Sequence, residues 1–249
     1  MTRTWQTPGG EYSRLYADML TQHHVLIAGA TGSGKSVVIN GIIQAALMNA
    51  PCKVGFILID PKRVELAQYA DLPHTITHAK GFDPVSWLRA LTQAVNIMDA
   101  RYKEMQRKRE KLYNGSDIYV IIDEWANVYK NGVKDCYKAV MRLTSEGRAA
   151  RVHCIIATQV PKATIIPTEV RENMSARLCL RCNSKAESRV LMDVSGCENL
   201  PQYGFGYYIT PTGKNLYKLP MISQTELDRL VTYWTGKAGL GKLKLFNRG

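Results

Sequence analysis

The stretch Val25-Leu-Ile-Ala-Gly-Ala-Thr-Gly-Ser-Gly-Lys-Ser-Val37 constrains this chain more than any other. An apolar run, a glycine-rich loop and the first turn of a helix follow one another without a gap. Residues Gly29 to Ser36 fit G-x-x-x-x-G-K-[ST], the pattern of a phosphate-binding loop. Gly29, Gly32 and Gly34 remove the Cβ atoms that would stop backbone N–H groups from curling around a phosphate chain. Ala30, Thr31, Ser33 and Val37 complete the cradle, and the helix that begins near Gly34 turns its positive end toward the same phosphates. Lys35 is the residue to reach the β- and γ-phosphate oxygens, and the Ser36 hydroxyl is the one to ligate Mg²⁺. A nucleoside triphosphate is therefore the expected ligand, with ATP and Mg²⁺ as the working pair.

The length of 249 residues suits one large α/β domain. No apolar run approaches the ~18 residues of a membrane span. The opening segment, Met1 to Gly10, is polar, contains Pro8-Gly9-Gly10 and lacks the apolar centre of a secretory signal. Six cysteines lie scattered at 52, 136, 154, 179, 182 and 197, which is cytoplasmic usage rather than a disulfide framework. Cys179-Leu-Arg-Cys182, with Cys197 as the one nearby addition, leaves a zinc site a ligand short, so these read as small strand residues. His74 and His78 likewise read as loop residues rather than ligands.

The net charge of +12 favours a polyanionic partner. It is concentrated in Arg101–Lys111, with six basic residues against two acidic ones, and in the tail Lys237–Arg248, with four basic residues and no acidic one. For each cluster the alternative is a solvated face.

Hydrophobic patterning fills in the rest. Residues 1–20 read as an approach segment with a short helix over Glu11–Leu20. Strands are expected at His24–Ala28, Val54–Asp60, Ile118–Asp123 and Val152–Thr158, all continuously apolar as in a parallel sheet covered on both faces. Ser175–Cys182 alternates more and suggests a sheet edge. Helices are expected over about Lys35–Met48, from Asp83-Pro84 to Asn114-Gly115, over Lys134–Gly147, over Ser184–Asp193 and after Ser223. In the long second helix the apolar stripe is read as Val85, Leu88, Leu91, Val95, Met98, Tyr102 and Met105. Tyr203–Thr210 and Asn215–Leu219 form a hairpin joined by Pro211–Lys214. One domain over 21–236, followed by a basic tail over 237–249, is the resulting organisation.

An apolar strand ending in Asp123 places a carboxylate at the carboxyl edge of the sheet, where a Mg²⁺ ligand is needed. Glu124 follows it as the candidate general base for an attacking water. Gln159, at the end of Val152–Thr158, can bond that water or the γ-phosphate. Arg148, within Gly147-Arg-Ala-Ala-Arg151, is either a guanidinium offered across a subunit interface or a surface arginine. Leu112-Tyr-Asn-Gly-Ser-Asp117 does not fit a transporter-type signature, and the guanine-reading Asn-Lys-x-Asp motif is missing, so a mechanochemical ATPase survives.

These residues resemble the FtsK/SpoIIIE family of DNA translocases. The resemblance rests on Gln22–Val37, Leu58-Ile-Asp-Pro-Lys62 with Glu65-Leu66, Leu72-Pro-His74 and Ile122-Asp-Glu-Trp-Ala126. Gly147-Arg-Ala-Ala150 running into Ala157-Thr-Gln159, and Asn183-Ser-Lys185 with Ser188-Arg189, continue it in the family's order over about residues 20–235. It implies a RecA-like phosphate-loop fold with a mostly parallel central sheet flanked by helices, a ring hexamer, and ATP-driven movement along double-stranded DNA. It assigns Lys35 and Ser36 to phosphate and Mg²⁺, Asp123 and Glu124 to metal and water activation, and Gln159 to sensing. Arg148 is the first candidate for an arginine acting in trans, ahead of Arg189 and Arg177.

Val160-Pro-Lys162 replaces the family's usual Arg-Pro-Ser. Neither a membrane anchor nor a winged-helix domain is recognisable, so the resemblance is to a stripped motor of the kind mobile elements or phages carry. Two rival readings stay open, a protein-secretion type motor ATPase and an ATP-gated adaptor docking a relaxase or capsid partner; a relaxase, capsid or membrane protein is a candidate partner beside DNA.

Overall fold

The computed structural model describes residues 22–218 and 222–236, together with the backbones of β1 (Thr4–Thr7) and β2 (Gly10–Ser13). β1 and β2 pair antiparallel, so the helix expected over Glu11–Leu20 is corrected at its start: Glu11–Ser13 are strand. The Pro-Gly-Gly sequence between the two carries turn chemistry, which favours a hairpin over a helix. Residues 14–21 of that expected helix, and the basic tail from 237 onward, lie outside the described residues.

The elements then run β3 (His24–Ala28), α1 (Lys35–Asn49), β4 (Val54–Asp60), β5 (Thr75–Lys80), α2 (Pro84–Lys108), β6 (Asp117–Ile122), α3 (Trp125–Asn131), α4 (Lys134–Glu146) and β7 (Val152–Thr158). After them come α5 (Thr168–Asn173), β8 (Ala176–Leu180), α6 (Lys185–Met192), β9 (Phe205–Thr210), β10 (Gly213–Lys218) and α7 (Gln224–Gly236). Eight strands form one sheet in the order β10-β9-β8-β3-β7-β6-β4-β5. The six strands from β8 to β5 are parallel, and β9 and β10 add an antiparallel hairpin.

Every residue of β3, β4, β6 and β7 is buried, because helices cover both faces. One apolar layer, around Trp87, Leu91, Met98, Val140 and Leu143, packs α2 and α4 on one face. The other, around Ile39, Ile43, Leu47 and Tyr69, packs α1 on the opposite face. Each such side chain contributes roughly 1.5–3 kcal/mol by leaving water.

Several expectations shift by a strand or a turn. β8 is not an edge, since β9 pairs beyond it; the edges are β5 and β10. His78 lies in β5, a strand that the short polar run Thr75–Lys80 did not announce, and α3 and α5 were not foreseen either. Helix α2 stops at Lys108, where Arg109 takes a left-handed φ of 58°, ahead of the expected Asn114-Gly115. Its buried stripe runs through Trp87, Ala90, Leu91, Ala94, Met98, Arg101 and Met105, whereas Val85 is 61% exposed. Arg101 therefore leaves the basic cluster: its guanidinium is buried and donates to the carbonyls of Ala150 (2.7 Å) and Arg151 (3.1 Å). At the start of α2, Asp83 caps as expected, its carboxylate accepting from the N–H groups of Val85 and Ser86. The cap is worth about 1 kcal/mol.

Candidate functional site

Parallel strands place all their carboxyl ends at one edge, and β3 lies between β7 and β8. The phosphate loop leaves β3 at that edge. Gly32 and Gly34 take φ values of 75° and 105°, which a side chain would resist. A Cβ on Gly29 would lie 2.6 Å from the Leu180 Cβ, so the first glycine is fixed by close passage against β8. Gly34 caps α1 with no side chain, leaving the first-turn N–H groups directed into the loop.

Lys35 spans the inside of the loop, its Nζ donating to the carbonyls of Gly29 (3.0 Å) and Ala30 (3.3 Å). Burial lowers its pKa to about 8, against the opposing pull of Glu124 and Asp123. An ammonium so desolvated gains most from an anionic partner such as a phosphate chain.

The order β3-β7-β6 brings Asp123, Glu124 and Gln159 to the same edge as this loop. The Thr31 hydroxyl donates to Gln159 Oε1 at 3.0 Å, joining the loop to the end of β7. Glu124 is buried at 4% exposure and sits at the left-handed φ of 61°, a conformation that is costly without glycine. Three donors hold its carboxylate: Thr158 Oγ1 (3.1 Å), the Gln159 N–H (3.1 Å) and Lys62 Nζ (2.8 Å). Thr158 and Lys62 carry no assigned role in the sequence reading. Their signal was position: Thr158 ends β7 and Lys62 lies two residues past the end of β4, both at the same edge.

Lys62 owes its place to Asp60. That fully buried carboxylate accepts from the N–H groups of Lys62, Arg63 and Leu66, folding the turn after β4.

Asp123 is 6% exposed. Burial, then the neighbouring carboxylates of Asp60, Glu65 and Glu124, push its pKa up to about 7. Surplus negative charge of this kind suits a divalent cation. Mg²⁺ takes only one or two protein oxygens beside phosphate and water, so Asp123 and the Ser36 hydroxyl would suffice as its protein donors. No cluster of three His, Cys, Asp or Glu suited to a metal occurs among the described residues, and Cys179, Cys182 and Cys197 are free thiols.

Arg148 does not join this group. It lies exposed in the turn between α4 and β7, at the amino edge of the sheet, opposite the phosphate loop. Arg177 is engaged locally, donating to the Leu191 carbonyl (3.0 Å) and Asp193 (3.1 Å), while Arg189 is exposed on α6.

Residues 8–117 match the FtsK/SpoIIIE family. The chain is 34% identical over 228 residues to the DNA translocase FtsK of Leptospira interrogans, covering 84% of this chain and 24% of that protein. It is 36% identical over 203 residues to the FtsK of Lactococcus lactis, covering 74% and 27%. It thus spans about a quarter of the length of these curated relatives. Among solved structures, the conjugation coupling protein TcpA of pCW3, determined with ATPγS, superimposes with a TM-score of 0.77 at 20% identity, over 94% of this chain and 69% of that one. The cytoplasmic domain of the type VII secretion ATPase EccC of Thermomonospora curvata gives 0.72 at 23% identity, over 86% and 28%. The genome-packaging NTPase B204 of Sulfolobus turreted icosahedral virus 2 gives 0.53 at 15% identity, over 80% and 98%. These likenesses establish the fold: a phosphate-loop α/β domain.

Proposed function

Because the chain belongs to the FtsK/SpoIIIE family, we propose that it is an ATPase that moves double-stranded DNA, working in the cytoplasm as a ring hexamer. The observation that carries this is the placement of Glu124. A buried, backbone-strained carboxylate is held by Lys62, Thr158 and Gln159 beside the loop that Lys35 fills.

Lys35 and the loop N–H groups bind and orient the triphosphate. Ser36 and Asp123 would hold Mg²⁺, which supplies neutralising charge at the β- and γ-phosphates. Glu124 takes a proton from the attacking water as its oxygen bonds to the γ-phosphorus and the bond to the β-phosphate oxygen breaks. The Lys62 ammonium, 2.8 Å from Glu124 Oε2, holds that carboxylate in place; Lys62 is a positioning residue. Gln159 touches both Thr31 and Glu124, so a change at the phosphates reaches β7 directly. Arg148, remote from its own loop, is suited to reach the nucleotide of a neighbouring copy.

The motor corresponds to 21–236, with 1–20 as an approach segment and 237–249 as a basic tail. DNA contact falls to exposed cations such as Lys103, Arg107, Arg109 and Lys111 at the end of α2. Such contacts read phosphates, and neutralising about six of them gives a log–log salt slope near −5. A relaxase, capsid or membrane protein completes the working assembly. No helix among the described residues is long and apolar enough to cross a membrane.

The test is ATP hydrolysis with and without linear double-stranded DNA. Stimulation by DNA that vanishes in Lys35→Ala supports the reading. Hydrolysis indifferent to DNA contradicts it and points to a motor that engages protein.

A further inference from the structure

The two flanks of the phosphate loop differ. Toward β7 the space is filled by Thr31 bonded to Gln159 and by Glu124 bonded to Thr158 and Lys62. Toward β8 a cleft of about 200 Å³ opens, lined by Ala30, Thr31 and Ser33 of the loop and by Arg181, Asn183 and Gln202. Whole-ligand pockets run to about 300–1,000 Å³, so this cleft suits part of a nucleotide whose phosphates lie on the loop.

Its walls are built rather than incidental. The Ala30 N–H donates to the Arg181 carbonyl at 2.7 Å, clamping the segment after β8 against the loop. Ser33 is 2% exposed and its hydroxyl oxygen meets no hydrogen-bond partner among the described residues. Arg181 forms no ion pair with the described residues, which leaves its guanidinium free for an anion. The side chains of Asn183 and Gln202 add amide donors and acceptors.

Next to Gln202 in the chain stands Tyr203, 68% exposed. Its ring comes within 3.9 Å of where a Cβ on Gly32 would sit, and Gly204 turns the chain behind it at a φ of 72°. A lone exposed aromatic is ordinary; one standing over a phosphate loop is placed to stack a base.

We propose that this cleft is the nucleoside subsite, with Tyr203 stacking the base, Asn183 and Gln202 bonding base edge or ribose, and Arg181 meeting the phosphate nearest the ribose. The proposal rests on the reading of the loop as an ATP site. It gives the nucleotide a direction, the γ-phosphate toward Glu124 and the base toward β9.

Calorimetric titration of the full chain with Mg²⁺ and either ATP or inorganic tripolyphosphate tests it. Tyr203→Ala is expected to weaken ATP about tenfold and to leave tripolyphosphate unchanged, while Tyr203→Phe retains ATP affinity. Unchanged tripolyphosphate binding also reports that the variant is folded. Unaltered ATP affinity in Tyr203→Ala, or equal weakening of both ligands, would overturn the subsite. Wild-type protein that binds neither ligand would overturn the phosphate-loop reading beneath it.

Discussion

The two edges of the central sheet bury charge in opposite ways. At the carboxyl edge, Asp123, Asp60 and Glu124 crowd together with Lys35 and Lys62, and Asp123 forms no ion pair with the described residues. At the amino edge, Asp117 is fully engaged: Arg151 holds it through Nε (2.9 Å) and Nη2 (2.5 Å), and His153 Nε2 lies 2.7 Å away. His153 stacks on Tyr119, and His24 beside it accepts the Cys154 N–H. One edge gathers carboxylates that a bound cation would neutralise; the other is satisfied and holds strands together. Function and stability should therefore separate along the strand direction.

The largest expected effect is at the carboxyl edge. Glu124→Gln should lower the hydrolysis rate by about 10²–10⁴-fold with the thermal midpoint nearly unchanged, since the amide retains the shape of the carboxylate. A large loss of stability instead would make Glu124 structural and erase the contrast.

Next comes Asp117→Ala, which strands Arg151 and His153. It should cost about 3–5 kcal/mol in urea unfolding while the turnover of folded molecules stays within about twofold. Loss of turnover without loss of stability would place chemistry at the wrong edge.

Acid should sharpen the comparison, because the edges carry opposite signs. Burial, then the nearby His153 and His23, lowers the His24 pKa from 6.5 to about 3. The unfolded chain takes up that proton first, so this contribution is complete above pH 6.5 and is lost as pH falls toward 3. The slope is about 1.4 kcal/mol per pH unit. Asp123, raised from 3.8 to about 7, runs the other way, stabilising at low pH and losing that contribution as pH rises through 7. His24→Gln should flatten the acid limb of a stability–pH curve, and a limb of unchanged slope would remove His24 as its cause.

A smaller effect is expected from Asp123→Asn. Above pH 7 it should raise the unfolding midpoint modestly, because a buried charge without its cation is gone, while hydrolysis is lost. A lowered midpoint would mean that Asp123 is already paired.

How far the sequence disclosed this contrast follows from what each feature depends on. The placement of the phosphate loop, Asp123, Glu124 and Gln159 at one sheet edge was legible because each is a local signal: a glycine pattern, or a polar residue closing an apolar run. The Asp83 cap of α2 was legible for the same reason. The clamp on Glu124 was not, since Lys62 and Thr158 meet it only through the strand order β7-β6-β4, which the linear order of strands does not state. The edge position expected of β8 failed because alternation reports exposure of one face and says nothing about a later hairpin pairing alongside. Arg101 looked like part of a basic patch because charge alone hides that a guanidinium can serve buried carbonyls.

The central claim is that hydrolysis at the carboxyl edge drives movement on DNA. Its most direct measurement is ATP-dependent displacement of a third strand annealed to linear duplex, compared between the wild-type chain and Glu124→Gln. The account predicts displacement by the wild type, weakened as salt rises, and none by the variant. Hydrolysis that proceeds at the same rate without DNA, with no strand displaced, would contradict it.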